Sequence, residues 1–382
     1  MDELRLSKAL ETLTEASEAA ASRELLAWRA AGGKVVGYYC TYVPEEIITA
    51  AGAVAIRLRA RTNPETDTAS AYMGNMCCSY VKHTFDMAMK GKYDFLDGVV
   101  VPTCCDSIRH MHENWVQYIP SQFSHQIEVP RRNDQDAHVA MFRDQLVRFR
   151  EHLESALGVE ITDERLHDAI KLHNETRALQ RRLYELRKRE NPPISGALTL
   201  TLIVAGTSMP KTDYNPLLRT VVEELEQVQG VPGARARLMF VGSCLDDPAY
   251  LDVIEGQGGI VVCDSQCFGS FQLSADVSEE GDPLDAITKN RLVDQAQCPH
   301  VSPSNQRTDY VKKIIEDFKV DGIVCSRMAM CDNWAGENFL LNRVEKLPVP
   351  VLNVEREYFS AASGQLSTRV QAFLETIEGA RV

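Results

Sequence analysis

Gly37-Tyr38-Tyr39-Cys40-Thr41-Tyr42-Val43-Pro44 has a second version in Val241-Gly242-Ser243-Cys244-Leu245-Asp246-Asp247-Pro248, and this pair decides how the chain is divided. In each, a cysteine stands four residues before a proline, and a glycine (Gly52, Gly256) follows that proline by eight. Another echo runs in the same order. Asp97-Gly98-Val99-Val100 leads to Cys105-Asp106, and Asp321-Gly322-Ile323-Val324 leads to Cys331-Asp332. One echo can arise by chance, but two in one order indicate a duplicated unit.

Each copy reads as strands alternating with helices. Lys34-Val35-Val36-Gly37-Tyr38-Tyr39 is a short buried strand, and Pro44-Glu45-Glu46-Ile47-Ile48 opens a helix with proline near its first turn. A strand follows from Ala53 to Ile56. Phe95 to Val101 is another, stopped by Pro102 and followed by a helical stretch from about Asp106 to Tyr118. Gly256-Gln257-Gly258-Gly259 reads as a helix end and turn before a strand at Ile260-Val261-Val262. This alternation predicts parallel α/β structure. Ligands of open parallel sheets bind beyond the carboxyl ends of the strands, so Cys105 and Cys331 are expected at facing edges where they could share one ligand.

Outside the repeats the spacing turns helical. Leu4, Leu10, Leu13, Leu25 and Trp28 fit a lead-in that ends at Gly32-Gly33. Apolar residues from Val139 through Leu153, and from Leu166 through Leu186, fit a long amphipathic hairpin ended by Asn191-Pro192-Pro193. The expected division is an N-terminal helical segment (1–33), a first α/β domain (34–136), a helical linker (137–193) and a second α/β domain (194–382).

The bulk numbers exclude several classes. At 382 residues the chain exceeds the size at which single cores stop growing. Its formal net charge of -13 argues against nucleic-acid partners. The start, Met1-Asp2-Glu3-Leu4-Arg5, lacks the features of a secretory signal, and no apolar run approaches ~20 residues, so a cytoplasmic protein without membrane segments is expected. No G-x-x-x-x-G-K-[ST], no G-x-G-x-x-G after a strand and no G-x-S-x-G is present, which leaves no sign of a nucleotide site or a nucleophile elbow.

Eleven cysteines remain to be explained, at positions 40, 77, 78, 104, 105, 244, 263, 267, 298, 325 and 331. Structural disulfides are disfavoured without an export signal, which leaves metal binding, reactivity or simple burial. Iron-sulfur sites need three or four thiolates converging in space, and Cys77-Cys78, Cys104-Cys105 and Cys331 are the candidates. No compact C-x-x-C run supports them.

Tyr39 through Gly52, Cys78-Ser79-Tyr80-Val81-Lys82, Val101-Pro102-Thr103-Cys104-Cys105-Asp106-Ser107, and Asp321 through Asp332 resemble the family of benzoyl-CoA reductases and 2-hydroxyacyl-CoA dehydratases. Val349 to Glu355 and the tail Gly364-Gln365-Leu366 with Thr368-Arg369-Val370 are similar too, so the resemblance spans roughly residues 34 to 380. It implies a 4Fe-4S cluster held by three cysteines, which by motif are Cys78, Cys105 and Cys331, with one iron left open. The doublets keep Cys77 and Cys104 as alternative ligands and leave room for a larger, double-cubane cluster.

The implied architecture is two flavodoxin-like or Rossmann-like domains in tandem with the cluster between them. The implied partners are a homologous cluster-binding subunit, a separate ATP-hydrolysing iron-sulfur activator, ferredoxin as indirect electron donor, and an acyl-CoA substrate, whose negative charge calls for a local basic pocket. The reading favoured on the look of Cys77-Cys78-Ser79-Tyr80 and Asp321 to Asn338 is a benzoyl-CoA reductase subunit that reduces an aromatic ring to a cyclic diene. The alternatives are a radical 2-hydroxyacyl-CoA dehydratase subunit and a non-catalytic scaffold with merely buried cysteines. Glu46 is either a helix N-terminal acid favoured by the dipole or a group that positions substrate or moves a proton. His83 and His110, close in sequence to the expected ligands, are either proton carriers or packed and solvated bystanders.

Overall fold

The computed structural model describes residues 7–230, 232–295, 298–301, 304–339, 347–359 and 363–380. Two helices, α1 (Lys8–Glu18) and α2 (Arg23–Ala30), precede the first sheet. That sheet contains β1 (Lys34–Tyr38), β2 (Ala53–Arg57), β3 (Gly98–Pro102) and β4 (Phe123–Ile127). Between the strands lie α3 (Glu45–Ala50), α4 (Asp67–Ser70), α5 (Ser79–Met89) and α6 (Asp106–Tyr118). The hairpin α7 (Asp136–Leu157) and α8 (Asp163–Leu186) follows, then α9 (Gly196–Ala205) and α10 (Lys211–Gln227). The second sheet is β5 (Ala236–Gly242), β6 (Gly259–Ser265), β7 (Gly322–Met328) and β8 (Val351–Arg356). Its helices are α11 (Pro248–Glu255), α12 (Pro283–Lys289), α13 (Ser304–Asp317), α14 (Asp332–Phe339) and α15 (Ser363–Gly379).

Both sheets are parallel throughout and have the same order, β2-β1-β3-β4 and β6-β5-β7-β8. The tandem α/β reading of the repeat therefore holds. Buried apolar runs such as Val35-Val36 and Val99-Val100-Val101 suit strands covered on both faces. The second echo has a physical role in each sheet. Asp97 accepts the Val35 N–H at 2.8 Å while its own N–H donates to the Val35 carbonyl. Asp321 does the same with Arg237, at 2.7 Å and 2.8 Å. Each aspartate thus locks the start of its third strand to the first. The expected strand from Phe95 consequently begins only at Gly98, because Asp97 is spent on this latch.

The expected helical hairpin also forms. Gly158 ends α7 at φ +67°, a conformation that favours glycine, and Thr162 caps α8 by accepting the Arg165 N–H at 3.3 Å. Among the described residues no helix is long and apolar enough to cross a membrane.

Candidate functional site

In the order β2-β1-β3-β4 the chain leaves β1 in one direction for β2 and in the other for β3, so a crevice opens at the carboxyl ends of β1 and β3. The same holds for β5 and β7. Cys40 and Cys244 lie two residues beyond β1 and β5, and Cys105 and Cys331 three beyond β3 and β7. The repeat thus sets four equivalent thiols at two equivalent switch points.

Three cysteines share a further feature, which is that each immediately precedes a helix. Cys78 caps α5, its carbonyl accepting the Lys82 N–H at 3.3 Å. Cys105 caps α6, its sulfur accepting the Ile108 N–H at 3.5 Å. Cys331 precedes α14 and accepts the Ala335 N–H at 3.1 Å. A residue at this position stands at the positive end of the helix dipole.

Specific bonds hold the three starts together. The Cys78 N–H donates to Ser107 Oγ at 3.3 Å, and the Tyr80 N–H to Met328 Sδ at 3.3 Å. Asn333 Nδ2 donates to the Cys104 carbonyl at 2.8 Å, joining the second unit to the first. Burial pushes the Cys78 thiol well above its ordinary value, and the charges of Cys105 and Cys331 add to the rise. Burial also pushes Cys331 up to about 12, with Cys105 contributing. The three cysteines therefore lie near enough for their charges to act on one another.

Beside Cys331 opens a cleft of about 670 Å³, lined by Cys77, Ser107, His110, Met76 and Met330 among others. Its charged lining is Asp106, Asp332 and Glu355 against Arg327, which is itself tied to Glu355. Among the described residues the basic pocket expected for a CoA ligand is not at this cleft.

Behind the cleft lies a second, more buried group of thiols. Cys40 neighbours Cys104, and Cys244 neighbours Cys267. The thiol of Cys104, aided by the charge of Arg57, lowers Cys40 to about 6 in spite of burial. Arg57 Nη2 stands 3.8 Å from Cys244 Sγ, and Cys298 Sγ donates to Tyr42 Oη at 3.5 Å. Among the described residues no three His, Cys, Asp or Glu side chains are disposed to hold one metal ion. A polynuclear group makes a different demand, since each thiolate then bonds a different metal atom.

The structure brings together Cys78, Cys105 and Cys331, sets Cys77 on the cleft and Cys104 in the inner group. Of the proposed proton carriers, His110 lines the cleft, its side chain 46% exposed and Nδ1 3.7 Å from Glu113 Oε2. His83 does not line it. Its Nδ1 bonds the Asn63 and Glu65 carbonyls at 2.9 and 3.2 Å, its ring packs on Phe359 and Tyr358, and burial lowers its pKa. Glu46 is fully buried between Arg177 and Arg291, the latter at 2.7 Å. Sequence reading did not assign Cys244, Cys267 or Arg57 to the site, although the repeat had already marked Cys244 as the counterpart of Cys40.

Comparison with known proteins gives the chain its relatives. It is 29% identical to a putative dehydratase subunit of Escherichia coli K12, over 91% of this chain and 92% of that protein. It is 26% identical to a benzoyl-CoA reductase subunit of Thauera aromatica, covering 87% of each chain. Against the beta subunit of the (R)-2-hydroxyglutaryl-CoA dehydratase of Acidaminococcus fermentans it is 23% identical, over 92% and 95%. The model of the 2-hydroxyglutaryl-CoA dehydratase D-component family matches residues 40–377, and the chain belongs to that family.

Proposed function

We propose that the chain is the iron-sulfur subunit of an ATP-dependent, ferredoxin-linked reductase that converts an aromatic acyl-CoA such as benzoyl-CoA to a cyclic dienoyl-CoA in the cytoplasm. The observation that carries it is the convergence of Cys78, Cys105 and Cys331 from both α/β units, each at a helix start. The residues fit the group. Three cysteine thiols are a donor set for ferric and ferrous iron, and three protein ligands would leave one iron open to another ligand. Bound there, a 4Fe-4S cluster supplies one-electron transfer and an iron free to take a ligand.

The chain's own residues would do the rest. The starts of α5, α6 and α14 orient the thiolates and favour their charge. His110, on the cleft wall, would serve as the proton carrier there. Glu46 orients α3 through its two arginines, and His83 braces the loop at Asn63 and Glu65. Cys77 is the alternative to Cys78 on the cleft side, and Cys104 the alternative to Cys105 on the inner side. The inner thiols Cys40, Cys244 and Cys267 favour the larger, double-cubane type of cluster. The acidic cleft lining supports a division of labour in which a homologous subunit binds the CoA moiety and an ATP-hydrolysing activator delivers electrons.

A second reading, a radical 2-hydroxyacyl-CoA dehydratase subunit, is favoured by the dehydratase names of the Escherichia and Acidaminococcus relatives. Anaerobic purification with accompanying subunits, assay of iron and acid-labile sulfide, and EPR of wild type and Cys331→Ser test the cluster. Iron and sulfide in wild type and their loss in the variant are expected. Colourless, iron-free protein after anaerobic reconstitution would leave the scaffold reading. Turnover of benzoyl-CoA against a 2-hydroxyacyl-CoA with the activator then decides between reductase and dehydratase.

A further inference from the structure

Arg57 is the last residue of β2, and its guanidinium crosses from the first unit into the second. Nη1 donates to the Cys267 carbonyl at 2.7 Å, Nη2 points at Cys244 Sγ at 3.8 Å, and the group lies over the Phe268 ring, 3.8 Å from its centroid. The residue is 2% exposed and its Nε has no partner. Arg177 and Arg291, equally buried, share the carboxylate of Glu46. Arg57 ion-pairs with no carboxylate among the described residues.

A guanidinium cannot shed its proton in a protein, and a buried charge without a counter-charge is costly. Of the neighbours able to carry negative charge, Tyr80 and Tyr38 are pushed well up by burial, which leaves the sulfurs of Cys244 and Cys267, with Cys40 also near. With Cys40 and Cys267 buried and Cys244 half-buried, these thiols compensate the cation only as thiolates. Several thiolates in one place, in turn, are stable only around metal. The cation, the missing carboxylate and the thiol group thus point to one anionic occupant.

We infer that Arg57 is the counter-cation of a thiolate-bound iron-sulfur group in the interdomain core and raises its reduction potential. This rests on the larger, double-cubane form of the cluster proposed above, which takes in the inner thiols. One-electron reduction adds one negative charge to that group, taken from an external low-potential donor, and moves no proton. A fixed positive charge beside it stabilises the reduced form more than the oxidised form, as do hydrogen bonds to cluster sulfur. Arg57 acts on the cluster through the thiols and is a positioning and tuning residue.

The test uses anaerobically purified wild type, Arg57→Lys and Arg57→Gln, each with its accompanying subunits. Iron and sulfide are assayed, and the cluster is titrated with titanium(III) citrate against a potential scale by EPR. Arg57→Gln is expected to keep its iron and to show a tenfold lower ratio of reduced to oxidised cluster at a fixed potential, ~59 mV for a one-electron couple. Arg57→Lys should move less than half as far. Loss of iron in the Gln variant alone would also support charge compensation. A Gln variant that titrates with the wild type, or a Lys variant altered as much as the Gln variant, overturns the role of Arg57 while leaving the cluster standing. A wild type without iron and sulfide overturns both.

Discussion

Glu46 carries its charge at the centre of a buried triad, and the partners explain why it is ionised there. Burial opposes the carboxylate, but Arg291 and Arg177 hold it well below its ordinary value. Removing the charge in Glu46→Gln leaves two buried guanidiniums uncompensated and should cost about 3–5 kcal/mol of stability. Urea unfolding of the cluster-free protein would measure it. A Gln variant of wild-type stability that has lost only turnover would instead make Glu46 a catalytic group. His173 stands beside the same helix, its Nε2 2.9 Å from Thr49 Oγ1, and burial lowers it to about 4 although Glu46 and Glu45 pull the other way. The unfolded chain, with His173 near 6.5, takes up the proton first as pH falls. Stability is therefore full above 6.5 and declines between 6.5 and 4, by up to roughly 3 kcal/mol at 1.36 kcal/mol per pH unit. His173→Gln should flatten that slope. Glu45, held at about 2 against burial by Lys211, adds a separate loss between 4.5 and 2. The sequence showed Glu45 and Glu46 on a first turn of helix. It could not show that the partners of Glu46 arrive from positions 131 and 245 residues away, because ion pairing between distant segments leaves no local pattern.

At the scale of elements, legibility followed burial pattern. Strands β1, β2 and β3 are built on short apolar runs and could be read directly, and so could the helical hairpin with its 3.6-residue period. β4, with Ser124-His125-Gln126 at its centre, carries no apolar run because it is an edge strand, and it went unread. α5 was missed for another reason. Its start is set by Cys78 meeting Ser107 and Tyr80 meeting Met328 across the fold, which no capping residue in the sequence announces. Two glycines separate demands made by contact from demands made by conformation. A Cβ on Gly242, the last residue of β5, would lie 2.1 Å from the Ser326 carbonyl oxygen of β7, and backbone cannot step aside. Gly242→Ala should force apart the strands that flank the second switch point, at a cost near the upper end of single substitutions, about 3 kcal/mol. Gly336, in α14, has open space around it. Gly336→Ala should stabilise by roughly 0.5–1 kcal/mol through helix propensity alone. Thermal denaturation followed by circular dichroism distinguishes the two, and equal shifts in one direction would contradict the geometry.

Across the whole molecule, the two units are joined by more than the hairpin between them. The Tyr358 hydroxyl donates to Asp246 at 2.7 Å and accepts the Ala60 N–H at 2.9 Å, so one side chain of the second unit ties the edges of both sheets. Arg59 at the end of the first sheet donates to Ser208 Oγ at 2.6 Å and to the carbonyls of Ser17 and Ala19. The N-terminal helix α1 packs not on the sheet that follows it but on α9 and α10, ahead of the second sheet. α9 is apolar around its whole circumference, which requires cover on every side, and α11 and β6 supply the rest. The amphipathic spacing of residues 3 to 31 was visible in the sequence; its docking on the far unit was not, since a hydrophobic face does not name what it faces. A consequence can be measured. Deleting the chain through Ala20 removes Leu10 and Leu13, both buried, and should cost about 3–6 kcal/mol from those two side chains. Hydrogen exchange should then rise first in α9 and α10, far along the sequence, while β1 and β3 stay protected. Faster exchange confined to the first sheet would mean that α1 serves its sequence neighbour instead, and that the units are held together by their facing edges alone.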